Sequence, residues 1–327
     1  MSVQQRLLSL LADGQLHSGS ELATELGVTR SAIWKHVRQL ESLELEVAAQ
    51  AGQGYQLALP LELLDEQQIF SALSESARQV CGKPEILWIS ESTSDYLLQQ
   101  TAPSPGRAHA CLAEYQSSGR GRRGRQWFAP AGHGICLSVA WSFATSPANL
   151  ACLGLAMGVG VLRALHKAGV EEAQLKWPND IVVDGCKLAG MLIDVQGEAG
   201  GPLHVVAGVG VNYQLNELAE RAVAANGGIT PTCMTRYATV GRNSTAALLV
   251  DEICGVLRDF ADDGFTSLVD EWSMADYLLG RAVTVQLNGE VLTGVAQGIS
   301  DDGRLRLEAD GTLHLLVTGD VSIRANP

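Results

Sequence analysis

The chain has 327 residues, 46% of them hydrophobic and 18% charged, and its 23 Lys and Arg against 36 Asp and Glu give a net charge of −13. At roughly 100 to 200 residues per domain, that length holds two or three domains with cores of their own, and the composition excludes a disordered, collagen-like or low-complexity chain. The acidity argues against a general polyanion binder and against cationic membrane attachment, so any contact with nucleic acid must come from a local basic face.

Residues 1–14 carry one Arg and a short apolar run without a signal-peptide core or cleavage site, and read as a helix. Val3, Leu7, Leu8 and Leu11 recur at helical spacing; Ser18 and Glu21 form a capping box that opens a second helix, stopped at Gly27; Thr29 can cap a third. In that third helix Ile33, Val37 and Leu40 fall on one side, and Ser31, Trp34, Lys35 and Arg38 on the other. Two helices around a Gly-containing turn, followed by alternating segments near Gly52 and Gly54, predict a winged helix-turn-helix over 1–62. The alternative is a three-helix packing module whose basic face is only solvated.

Residues 58–66 contain a proline and several acids and predict a linker. Residues 67–272 mix apolar strand-like runs, at 136–141, 181–184, 191–195 and 204–211, with a long, mostly buried helix over 150–169, which predicts an α/β or α+β domain. No stretch is expected to reach the ~18 apolar residues of a membrane span. From Arg281 the pattern alternates, with turn dipeptides at Asn288-Gly289, Asp302-Gly303 and Asp310-Gly311, so 276–327 reads as a small β-barrel. The seven cysteines are scattered with no C-x-x-C pair, which predicts reduced thiols in a cytoplasmic protein and argues against a zinc site or a disulfide framework.

Four arginines lie within six residues, 120–125, interleaved with Gly119, Gly121 and Gly124 and followed by Trp127. The letters contain G-x-G-x-x-G, yet the loop runs into 126–130 rather than a helix and has no acid about twenty positions on, so a dinucleotide fold is excluded. Such a loop suits a multiply charged anion, because guanidinium forks match carboxylate and phosphate geometry; a solvated basic loop is the plain alternative. Trp127 could stack on a base or lie in a core. Lys176, Asn179 and Asp180 flank Pro178 and offer a cation, an amide and a carboxylate for Mg²⁺. Lys187 precedes an apolar run that would bury its stem. Ser92, Thr93 and Ser94 follow an apolar strand, either to bind a small polar ligand or to cap the next helix. No Walker A sequence is present, so any use of ATP lies outside the P-loop class.

The order and spacing of Ser92-Thr93, Gln116, the 119–127 loop, the 176–180 run, Lys187-Leu188-Ala189-Gly190 and the 208–212 segment resemble those of biotin protein ligases. With both flanking units, the full chain is similar to the bifunctional bacterial kind, ligase and biotin operon repressor in one polypeptide. The resemblance implies an α+β multidomain fold with an N-terminal winged helix-turn-helix, a central α/β ligase domain with a mixed sheet, and a C-terminal SH3-like β-barrel. It implies biotin, ATP and Mg²⁺, transfer to a lysine of the biotin carboxyl carrier protein of acetyl-CoA carboxylase, operator DNA, and a ligand-promoted homodimer, with the Gly-rich 196–201 segment at its surface. Ser92, Thr93, Ser94, Gln116, Arg120, Gly121, Arg122 and Lys187 would hold biotin or the adenylate linkage. Arg122, Arg125, Trp127, Lys176, Asn179 and Asn212 would serve the nucleotide, Asp180 the metal, and Arg122, Lys176 and Lys187 the chemistry. Thr29, Arg30, Ser31, Trp34, Lys35 and Arg38 would face DNA.

Two features depart from that family. Ser94 stands where an asparagine is usual, and the wing tip at 50–54 has no cation. Residues 1–60 hold four cations against six acids, a net charge of −2. Two other readings compete: a regulator that senses a small molecule without catalysis, and a lipoate or octanoyl transferase of the same fold.

Overall fold

The structure, a computed structural model, describes residues 1–147, 149–197, 202–225, 230–287, 290–317 and 321–325. The expected Asn288-Gly289 turn and residues 198–201 of the Gly-rich segment lie outside the described residues.

Local signals build the first unit. α1 (Val3–Leu11), α2 (Gly19–Leu26) and α3 (Arg30–Glu41) start at caps: Ser2 and Ser18 close capping boxes with Gln5 and Glu21, and the Thr29 hydroxyl accepts from the Ala32 N–H. Gly27, at φ 68°, ends α2 in the left-handed conformation that frees the chain to turn. β1 (Val47–Gln50) and β2 (Gly54–Leu57) form the wing. Tyr55 and His17 exchange two 2.9 Å backbone hydrogen bonds that tie the wing to α2. Leu7, Leu8, Leu11, Ile33, Val37 and Leu40 form a separate small core.

Residues 61–65, within the expected linker, form a clamped strap. Leu61 is buried in the N-terminal core, and the Glu62 carboxylate accepts from the Arg242 and Asn243 N–H groups at 2.6 and 3.1 Å. Arg242, fully buried, pairs with Glu114 at 2.5 Å, and Glu114 also accepts from the Leu64 N–H at 2.9 Å. The physical reason is buried charge: Glu114 and Arg242 need partners, and the strap supplies several of them.

α4 (Glu66–Ala72) and α5 (Glu75–Cys81) lead into β3 (Glu85–Ser90), α6 (Thr93–Leu98), β4 (Ala108–Gln116), β5 (Gly134–Phe143), α7 (Leu153–Lys167), β6 (Gln174–Lys176), β7 (Asp180–Val183), β8 (Cys186–Gly197) and β9 (Leu203–Asn212). α8 (Glu217–Ala225), α9 (Arg242–Asp263) and α10 (Val269–Met274) follow. The strands form one mixed sheet in the order β3-β4-β5-β9-β8-β7-β6, parallel only between β3 and β4. Leu137, Val139, Trp141, Val205, Ala207 and Val209 alternate onto the face that packs with α7 and α9. Contrary to the sequence expectation, residues 150–167 do meet the length and apolarity of a membrane span, with mean hydropathy 1.4, but 67% of that stretch is buried inside the protein.

β10 (Ala282–Leu287), β11 (Glu290–Ile299), β12 (Leu305–Ala309), β13 (Thr312–Leu316) and β14 (Val321–Ala325) form an antiparallel sheet in the order β13-β12-β11-β10-β14. The five strands make the small all-antiparallel β unit that the sequence pattern predicted, with the last strand, β14, beside the first, β10. Its inward residues Val283, Val285, Leu305 and Leu307 are contiguous with the central core. The Asp302-Gly303 turn docks on the central unit, where the buried Trp177 Nε1–H donates to the Gly303 carbonyl at 3.0 Å.

Candidate functional site

The face of the central sheet opposite α7 and α9 is made bare by glycine. Gly190 on β8 pairs with Gly210 on β9, two residues along from Gly208, and on the other side Gly208 lies opposite Ser138 and Gly210 opposite Cys136 on β5. A Cβ on Gly210 would overlap the Trp127 indole, and one on Gly208 would lie 2.6 Å from Ser94 Oγ. The small residues therefore form a seat for the arginine loop and for the N-terminus of α6. One cavity is lined by every candidate ligand residue named above, from Ser92 to Asn212. Arg120, Arg122, Arg123, Arg125, Lys176 and Lys187 line it against a single acid, Asp180. In an acidic chain, six cations around one cavity suit a polyanion.

The floor is hydroxylic. Ser92 caps α6 by accepting from the Asp95 N–H, whereas Thr93 and Ser94 turn inward to Ser138 Oγ at 2.7 and 3.0 Å. The helix-capping reading of this triplet thus holds for Ser92, while Thr93 and Ser94 are placed at the cavity. Gln116 Oε1 accepts from the Thr93 N–H at 2.8 Å and from its hydroxyl at 3.1 Å.

The loop is anchored at one end. Arg120 makes two hydrogen bonds to Asp194, at 3.2 and 2.6 Å, and lies 3.1 Å from Asp95. Its guanidinium is engaged by carboxylates, while Arg123 and Arg125 are exposed. Arg122 donates to Asn179 Oδ1 at 3.1 Å, and burial, reinforced by the neighbouring Arg123, lowers its pKa from the ordinary value. Trp127 is half-buried, and Lys187 Nζ lies 5.7 Å from its ring centroid.

Lys176, at the end of β6, is buried, and the chain passes through the cis Trp177-Pro178 bond into Asp180 at the start of β7. Lys187 Nζ reaches Asp180 Oδ1 at 2.5 Å. It does so because of an irregularity in the β7–β8 ladder: Ile181 pairs with Ala189 but Val182 with Lys187, so Leu188 is the extra residue. Leu188 and Ala189 both enter the core, and the alternation that would have sent Lys187 there is reversed. Asn179 donates to the Met191 carbonyl, and Asn212 to those of Lys187 and Thr232, so both amide nitrogens are engaged within the protein.

No described cluster of three or more His, Cys, Asp or Glu side chains could hold a metal ion. Asp180 offers one carboxylate, which fits Mg²⁺ as a companion of phosphate oxygens rather than in a protein cage.

On the N-terminal unit, Thr29, Arg30, Ser31, Trp34, Lys35 and Arg38 are all exposed on one side of α3. Arg38 is partly engaged, 3.4 Å from Glu41 and 5.7 Å from the Trp34 ring centroid. Sequence reasoning missed Ser138, Asp194 and Asp95. Ser138 sits inside an apolar run, and its one signal is period-two alternation with Cys136 and Ala140 on the site face.

A family model described as the Biotin/lipoate A/B protein ligase family matches residues 88–212. Models described as an HTH domain and as the biotin protein ligase C terminal domain match residues 3–56 and 278–324. The chain is 34% identical over 324 residues to the bifunctional ligase/repressor BirA of Escherichia coli (strain K12), covering 99% of this chain and 98% of the relative. It is 35% identical to its namesake from Salmonella typhimurium at the same coverage, and 27% identical to that of Bacillus subtilis over 95% of each chain. In fold it is similar to the Aquifex aeolicus biotin protein ligase solved with biotin and ATP, at TM-score 0.60 and 24% identity, covering 74% of this chain and 98% of that one. A match of this identity along the whole length, over a cavity that gathers the hydroxyl floor, the arginine loop and both lysines, places the chain in the biotin protein ligase family, among relatives that are bifunctional ligase/repressors.

Proposed function

We propose that the protein is an ATP-dependent biotin protein ligase that also acts as a transcriptional repressor. The observation that carries the reading is the single cavity in which a polar floor suited to biotin's ureido ring adjoins six cations suited to a carboxylate and a triphosphate. A biotin carboxylate oxygen attacks the α-phosphorus of ATP, the bond to the bridging oxygen breaks, and biotinyl-5′-AMP and pyrophosphate form. The amine of a carrier-protein lysine then attacks the acyl carbon, AMP leaves, and the amine loses a proton.

Both first-step reactants are anions, so the residues act mainly by neutralising and aligning them. Ser92, Thr93, Ser94 and Gln116 hold the ring end, while Arg122, Lys176 and Lys187 meet the carboxylate and phosphates. Arg120 and Gly121 shape the loop over the biotin side, Arg125 and Trp127 take the nucleotide, and Asn179 and Asn212 brace its walls. Mg²⁺ supplies charge neutralisation for the pyrophosphate leaving group, and Asp180 would hold it beside Lys187. The acceptor is the biotin carboxyl carrier protein of acetyl-CoA carboxylase. The exposed face of α3 contacts operator DNA when two copies, loaded with adenylate, bring two such helices to inverted half-sites.

Exchange of radiolabelled pyrophosphate into ATP tests the first half: it should require biotin and Mg²⁺. Exchange supported by lipoate or octanoate and not by biotin overturns the assignment. In gel shifts on upstream regions of biotin genes, protein with biotin and ATP should bind far more tightly than protein alone, and equal binding in both states overturns the repressor half.

A further inference from the structure

The hydroxyls of the cavity floor have a direction that can be deduced without seeing a hydrogen. The Thr93 backbone N–H can only donate, so the Gln116 atom 2.8 Å from it is the amide oxygen. Thr93 Oγ1 lies 3.1 Å from that same oxygen, and its proton must point there; otherwise two lone-pair oxygens would face each other with none between them. With its proton so committed, Thr93 Oγ1 accepts from Ser138 Oγ at 2.7 Å, and Ser138 Oγ in turn accepts from Ser94 Oγ at 3.0 Å. The chain therefore runs Ser94 to Ser138 to Thr93 to Gln116. Ser138 is fully buried and Thr93 and Ser94 nearly so, an environment in which successive hydrogen bonds reinforce one another.

Resting on the ligase reading, we propose that Ser138 is a positioning residue: by taking the Ser94 proton it turns Ser94 into an acceptor toward the cavity, which selects an acid whose ring end carries an N–H. A cyclic urea supplies that donor. An acid ending in hydrocarbon or in a disulfide ring does not, and would leave the Ser94 lone pairs desolvated without a partner. Gly208 belongs to the same device, because a Cβ there, 2.6 Å from Ser94 Oγ, would displace the hydroxyl.

The test compares biotin with its two cyclic carbamate analogues, in each of which one ring N–H is replaced by oxygen, by calorimetric titration of the full-length protein. For wild type, one analogue should bind at least tenfold more weakly than biotin. In Ser138→Ala the Ser94 hydroxyl loses its internal acceptor and can turn its proton to the cavity. Biotin should then weaken about tenfold and the gap to that analogue should close to within about threefold. A purely structural role for Ser138 would weaken both ligands alike and leave the ratio unchanged, which overturns the proposal, as does a wild type that binds both analogues as tightly as biotin. Should Ser138→Ala fail to fold, Ser94→Ala carries the test: the ratio must shrink there as well, and an unchanged ratio overturns the proposal. A wild type that binds lipoate or octanoate and no biotin sinks the ligase reading instead, so the two failures are distinguishable.

Discussion

Arg242→Met removes one member of a buried ion pair and should be among the most damaging single changes outside the cavity. The Arg242 side chain is 0% exposed and that of Glu114 4%, with 2.5 Å between them, and the guanidinium also donates to the Gly134 and Glu62 carbonyls at 2.9 and 3.0 Å. Losing one partner of such a pair typically costs about 3 to 5 kcal/mol, because the surviving charge stays buried and uncompensated. The two carbonyls add roughly 1 kcal/mol each. Against a typical stability of about 5 to 15 kcal/mol, that is a large share. Equilibrium urea unfolding at pH 7, followed by tryptophan fluorescence, measures the loss. Adding Glu114→Gln to Arg242→Met neutralises the stranded carboxylate and should recover a substantial part of it. A single variant within about 1 kcal/mol of wild type, or a double variant no more stable than the single, refutes the reasoning. Limited proteolysis should cut within 58–65 faster in the single variant, since the strap loses the guanidinium bond to the Glu62 carbonyl and the charge partner of Glu114, which holds the Leu64 N–H.

Three further outcomes are expected. Lys187→Ala or Arg122→Ala removes a charge-assisted contact to the adenylate of roughly 1.5 to 3 kcal/mol, so biotinyl-AMP should leave about ten- to more than a hundredfold faster with folding intact; an unchanged off-rate in both variants refutes the assignment. Gly210→Ala places a methyl group where the Trp127 indole lies, so it should lower ATP affinity far more than biotin affinity in direct titrations, and an equal effect on both contradicts Trp127 as a nucleotide platform. Burial raises the Asp276 pKa to about 6, while the unfolded chain has the ordinary carboxylate value, so the folded state binds more protons between about pH 4 and 6. The stability this group contributes is present below that window and lost as pH rises through it. In Asp276→Asn the urea midpoint should fall less between pH 4.5 and 7 than in wild type, and identical falls refute the argument.

Local chemistry was legible in the residues alone. The Ser18 and Glu21 capping box, the Gly27 stop and the Ile33, Val37, Leu40 stripe each depend on neighbours within a turn or two, and each forms as read. The arginine run and the 176–180 cluster were conspicuous because composition concentrates cations there in a chain of net charge −13. What the residues could not reveal depends on cross-strand register and distant partners. Lys187 reaches Asp180 only because Leu188 is the extra residue in the β7–β8 ladder, and period-two counting along β8 would send that lysine into the core. Ser138 reads as one hydroxyl in an apolar strand until Gly208 pairs opposite it and α6 brings Thr93 and Ser94 within 3.0 Å. The strap reads as a linker because its partners, Glu114 and Arg242, lie about 50 and 180 residues away in sequence, and a buried charge can choose its partners only once the chain has folded around it.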